Sequence, residues 1–161
     1  MADDATPRPL ADNELYLERV FAAPPQLVFD MWTQGEHMMA WLGPASARCA
    51  AADLDFRVGG QWSARVELET GSVLLMAGRY LEIEPGRRIV KTFQWKSGEG
   101  DPETVITLGF YDLGDGRTRQ TFHQTPFVSV ARRDRHVQGW GACFEHEQAY
   151  LDTLTPKGVP S

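Results

Sequence analysis

Between Ala45 and Gln124 the chain breaks into short β-rich segments separated by turn signals, and nothing else in the sequence narrows the fold as much. Strands are expected near 46–56, 60–68, 73–83, 87–95, 103–111 and 117–124. The breaks are Gly59-Gly60, Thr70-Gly71, Pro85-Gly86, the stretch from Ser97 to Pro102, and Gly114-Asp115-Gly116. Links this short join antiparallel neighbours, because a parallel crossover needs a dozen residues or more. A single antiparallel sheet with one apolar face must then find something to cover that face.

The flanks supply the cover. Leu15 to Phe21 alternates as a further strand, and Pro24-Pro25 stops it. Proline suits the first turn of a helix, where its missing N–H costs nothing. Leu27, Val28, Met31 and Trp32 follow as a helical stripe, Gly35 breaks it, and Glu36 to Trp41 reads as a second short helix ended by Gly43-Pro44. From about Arg132 to Leu154 there is no proline, and Val137, Trp140, Phe144, Glu147, Leu151 and Leu154 form one face of a long helix. The order strand, two short helices, six strands, long helix predicts an α+β domain in which a curved sheet grips the last helix. Space is left between them, above all beneath the short helices.

At 161 residues the chain has room for one domain, expected over 14–155, with flexible tails at 1–13 and 156–161. A net charge of −6 without a basic stripe argues against nucleic acid. Cys49 and Cys143 are isolated, with no CxxC and no Cys/His cluster at ligand spacing, so neither a metal nor another cofactor is expected. Whether the two thiols pair is open at this level. The N-terminus lacks a signal-peptide pattern, and no apolar run approaches a membrane span, so a cytoplasmic protein is expected.

Several fragments, in order, resemble one known family. They are Glu18-Arg19-Val20-Phe21-Ala22-Ala23-Pro24 with Val28-Phe29, Trp41-Leu42-Gly43-Pro44, and Asp55-Phe56-Arg57-Val58-Gly59-Gly60-Gln61-Trp62. Gly78-Arg79-Tyr80 with Glu82-Ile83-Glu84-Pro85, Gly116-Arg117-Thr118 and Gly139-Trp140 follow. The set is similar to the SRPBCC or START-like superfamily, in its branch of activator-of-Hsp90-ATPase homologues (AHSA1-like). The resemblance implies the helix-grip (START/Bet v 1-like) fold and a cavity for a small apolar molecule. It does not fix one function, since the superfamily includes lipid and hormone carriers, polyketide aromatases and cyclases, and co-chaperone domains. Eukaryotic activators carry an additional N-terminal domain that docks on the chaperone, and the stretch before the first strand here holds nothing of that kind.

The candidate cavity wall is Trp41, Phe56, Trp62, Met76, Tyr80, Phe93, Trp95, Phe110, Phe122, Trp140 and Phe144, with Glu147 or Gln120 fixing polarity. The same rings could equally be plain core, since large aromatic side chains favour both. Glu147 lies on the inward stripe of the last helix. It is either a buried carboxylate of raised pKa or, after a small rotation, a rim residue in water. Gln120 and Gln124 share a strand face with Phe122, and Thr121 and His123 share the other; the presence of Arg119 on the latter favours the Phe122 face as the inner one. Gly139 is expected to let the helix approach the sheet, with Trp140 filling the gap. The run from Ala131 to His136 reads either as a solvated helix start or as a rim that attracts an anionic ligand. The four histidines show no metal spacing, and Ser46, Ser63 and Ser72 have no nucleophile context. Three functions compete: a binder of small hydrophobic ligands, which these features favour; a cyclase- or hydrolase-type enzyme, with Glu147 and His123 or Tyr80 as an acid–base pair; and a chaperone-type partner module. A homodimer through an exposed edge strand is compatible with the pattern.

Overall fold

A computed structural model describes residues 10–44, 46–97 and 101–155. The expected tails at 1–9 and 156–161 lie outside the described residues, as does part of the break before Pro102. The elements are β1 (Leu15–Phe21), α1 (Pro25–Thr33), α2 (Gly35–Trp41), β2 (Arg48–Leu54), β3 (Gln61–Glu67), β4 (Val73–Glu84), β5 (Arg88–Trp95), β6 (Thr104–Asp112), β7 (Thr118–Thr125) and α3 (Val130–Leu154). All seven strands form one antiparallel sheet in the order β1-β7-β6-β5-β4-β3-β2. It curls into a half barrel around α3, the helix-grip arrangement.

The topology positions the helices. Consecutive strands β2 to β7 pair with their neighbours, but β1 pairs with β7, so β1 and β2 are opposite edges of the sheet. The α1–α2 hairpin must therefore span the open side of the half barrel. Pro25 starts α1 at its first turn, and Val28, Phe29, Met31 and Trp32 face inward. Ser129 caps α3 by accepting from the Arg132 backbone N–H at 3.1 Å. The buried side of α3 is Trp140, Cys143, Phe144, Glu147 and Leu151. Leu154, expected in that stripe, is exposed.

Residues 11–13, assigned to the tail from sequence, are tied to the body. The Asn13 carbonyl accepts from Phe127 N–H at 2.9 Å, and the Asp12 carbonyl accepts from Arg133 at 3.1 Å. In the Gly59-Gly60 corner the two glycines do different jobs. Gly59 has a φ of +86°, while at Gly60 an added Cβ would run into the Asp55 carbonyl. Arg57 braces the corner through Asp55, 3.0–3.1 Å away.

Gly78 matters more for the interior. An added Cβ would meet the Thr92 carbonyl and lie 2.6 Å from the Trp62 indole nitrogen, which itself donates to that carbonyl at 2.9 Å. Gly78→Ala is expected to cost about 2 kcal/mol or more, because neither backbone nor ring can withdraw cheaply. Gly141→Ala on α3 meets open space and should gain up to about 1 kcal/mol from helix propensity. Urea unfolding of both variants checks the pair, with opposite shifts in midpoint.

Candidate functional site

The interior has a closed polar end and an open apolar end. At the closed end Trp32, fully buried on α1, shares its indole N–H between Gln120 Oε1 at 3.0 Å and Glu147 Oε2 at 3.2 Å. The Gln120 amide donates in turn to Glu147 Oε1 at 3.3 Å. The inward face of β7 is thus the Phe122 face, with Gln120, Phe122 and Gln124 all buried. His123 points outward and meets Glu14 at 3.2 Å. Glu147 is completely buried, and burial pushes its carboxyl up to about 8, against the opposing pull of the Gln120 and Trp32 donors.

Lys91 on β5 was not among the residues singled out from sequence. It is 2 % exposed. Its Nζ lies 4.2 Å from the ring centroid of Trp62, 5.2 Å from Trp32 and 6.0 Å from Tyr80. The ring faces favour a cation, yet burial dominates and lowers the amine to about 7. Strand alternation carried the signal: Lys91 stands two residues before Phe93 and shares its face. The Tyr80 hydroxyl is buried and unpartnered among the described residues. Burial pushes it, too, far above its ordinary ionisation.

The open end is a cleft of about 840 Å³ between the N-terminal half of α3, β4, the end of β5 and the α2–β2 connection. Its wall includes Leu42, Val66, Leu74, Met76, Phe93, Trp95, Gly139, Trp140 and Cys143, and its rim includes Asp101, Arg132, Arg135 and Gln138. A hollow of about 10 Å³ behind Trp95 and His136 has room for about one water. Gly139 does not bring the helix against the sheet, as was expected. An added Cβ there would meet nothing within 4 Å, because the position faces the cleft. His136 is locked by its neighbours. Trp95 donates its indole N–H to Nε2 at 3.0 Å, so the ring proton sits on Nδ1, 2.9 Å from the Arg132 carbonyl. Burial holds its pKa below the usual value, so it braces the wall as a neutral imidazole.

Of the candidate wall residues, Met76, Phe93, Trp95 and Trp140 face the cleft. Trp41, Trp62, Tyr80, Phe110, Phe122 and Phe144 are packed in the core, and Phe56 sits at its margin against Phe29 and Tyr80. Glu147 and Gln120 belong to the closed end. The acid–base pair of Glu147 with His123 is not assembled, since the two lie on opposite sides of the sheet. Cys143 is buried and free, as is Cys49, and burial pushes the Cys143 thiol up to about 12. Among the described residues no cluster of three metal-ligating side chains occurs, and no helix is long and apolar enough to cross a membrane.

Residues 22–152 match the family model described as Activator of Hsp90 ATPase homolog 1-like protein. The chain belongs to this family. Among solved structures it is similar to a protein of Chromobacterium violaceum, with 26 % identity over 86 % of this chain and 96 % of that one and a TM-score of 0.79. It is similar also to the AHSA1 protein of Silicibacter pomeroyi, with 23 % identity, 88 % and 99 % coverage and a TM-score of 0.79. A Rhodobacter sphaeroides protein shares the fold at 19 % identity, covering 92 % of this chain and 99 % of its own, with a TM-score of 0.78. No curated protein matches the chain. Family membership accounts for the grip of sheet on helix, while the buried Lys91 and the Trp32–Gln120–Glu147 cluster are read from this chain's own residues.

The two buried titratable groups predict a stability profile with a minimum. Glu147 keeps in the folded state a proton that the unfolded chain gives up, so stability falls as pH rises from about 4.5 towards 8. Lys91 lacks in the folded state a proton that the unfolded chain keeps, so stability rises from about pH 7 towards 10.5. Each slope approaches ~1.4 kcal/mol per pH unit, and the minimum falls between pH 7 and 8. Urea unfolding across this range checks the profile. Glu147→Gln should flatten the acid-side descent, and Lys91→Met should remove the alkaline recovery.

Proposed function

We propose that this protein binds a small hydrophobic molecule in the cleft between α3 and the β4–β5 wall. The observation that carries the reading is the cleft itself, about 840 Å³ beside a helix that places Gly139 where a side chain would fill it. The volume suits a ligand of drug-like size. Walls of Met76, Phe93 and Trp140 offer apolar contact, and neither His136 nor Cys143 on the wall is free for chemistry. His136 has both nitrogens engaged, and the Cys143 thiol is held protonated. Binding rather than turnover is therefore the function the geometry favours, in a soluble protein of the cell interior. Activation of a chaperone ATPase, the activity in the family's description, is the alternative that a failure of ligand binding would bring forward.

The neutral fluorophore N-phenyl-1-naphthylamine tests the cleft. It should bind with enhanced emission and quench Trp95 and Trp140. Gly139→Phe places a ring in the empty space and replaces glycine by a better helix former. It should weaken the fluorophore by about tenfold or more while keeping Tm. Unchanged binding in a folded Gly139→Phe variant would count against the cleft as the site.

A further inference from the structure

The charges around the cleft are unequally committed. Asp101 and Arg132 form an ion pair at 3.1 Å, so the acid of the rim is already matched. His136 is neutral and engaged at both nitrogens. Arg135, one turn along α3 from Arg132, also borders the cleft, is exposed, and has no hydrogen-bond or ion-pair partner among the described residues. Among the described residues an apolar wall thus ends at a single uncompensated guanidinium.

We propose that the ligand of this cleft is an apolar carboxylic acid, with its hydrocarbon body against Met76, Phe93 and Trp140 and its carboxylate on Arg135. The proposal rests on the reading of the cleft as a ligand site and adds the chemistry of the head group. A guanidinium matches a carboxylate through two parallel N–H···O bonds. One free guanidinium balances one negative charge, whereas a phosphate dianion would call for a second free cation, and Arg132 is committed to Asp101. An amine would need a free carboxylate on the rim, and Asp101, the carboxylate among the described rim residues, is spent on Arg132. The chain as a whole carries −6, so its long-range field repels an acid. Attraction must come from Arg135 at short range, and it weakens with added salt.

Displacement of N-phenyl-1-naphthylamine by dodecanoic acid and by dodecan-1-ol, near neutral pH and at low salt, tests the inference. The two ligands share one hydrocarbon body and differ in the head. The acid is expected to displace the probe at a concentration about tenfold or more below that of the alcohol. Arg135→Gln should bring the ratio close to one, and Arg135→Lys should retain part of it. Equal potency of acid and alcohol, an acid preference that survives Arg135→Gln, or failure of both to displace a bound probe overturns the carboxylate assignment and leaves the cleft reading standing. If the probe itself does not bind, the cleft reading falls and the assignment with it.

Discussion

The shared hydrogen bond of Trp32 is the joint on which the interior depends. One indole N–H reaches both Gln120 on β7 and Glu147 on α3, so three elements distant in sequence meet at a single donor. The ring does as much as the N–H. It packs against Trp41 at 4.7 Å, Trp140 at 6.0 Å and Phe122 at 6.1 Å, and takes Lys91 over its face. A helix hairpin spanning the open side of a half barrel has no ladder to hold it, and this buried contact fixes α1 over the sheet. Leaving Glu147 or Gln120 without the indole would strand a polar group in a dry core, which costs more than the bond itself contributes.

The remaining tryptophans follow the same rule, and each indole nitrogen has an acceptor. Trp41 donates to the Met31 carbonyl, Trp62 to Thr92, Trp95 to His136 and Trp140 to Gln124. Gln124 passes the line on to Thr104 at 2.9 Å. Buried aromatic rings with polar tips are orientable parts, and the β7 amides orient two of them, Trp32 and Trp140. Gln120 and Gln124, separated by one turn of the strand pleat on either side of Phe122, each receive one ring from a helix. That is the reason two amides can sit on the inner face of a strand whose neighbours are apolar.

Much of the architecture was legible because it is local. Turns such as Gly114-Asp115-Gly116 and the proline start of α1 announce themselves within a few residues, and the resulting element order leaves few topologies. The site was less legible. Phe93 and Phe110 look alike in sequence, but Phe93 faces the cleft and Phe110 packs on Phe29 in the core. Wall and core draw on the same side chains, so composition cannot separate them. Lys91 is hard to read from sequence because a lysine ordinarily marks the solvent face, although its alternation with Phe93 points inward. The role of Gly139 is ambiguous in sequence because a helical glycine signals closeness or vacancy equally. Only the position of the sheet opposite decides which. The tie between Glu147 and Gln120 spans residues too far apart for any spacing argument to reach.

Trp140 divides the two ends of the interior. One part of its ring lines the cleft, while the rest packs on Phe122 at 4.7 Å and on Trp32. Behind it lie Lys91 and Glu147, whose ionisation is displaced chiefly by exclusion of water. In front of it the cleft opens to solvent past Arg135. Water reaching the inner side would return both groups towards their ordinary charged forms, and a core that must hold a buried ammonium and a buried carboxylate is costly. The packed rings of Trp140, Trp32 and Phe122 would therefore set how deep the proposed ligand could go. On the proposed reading an apolar tail would rest on Trp140, and a polar head would gain nothing by going inward. On the proposed reading the head would stay at the rim, beside Arg135.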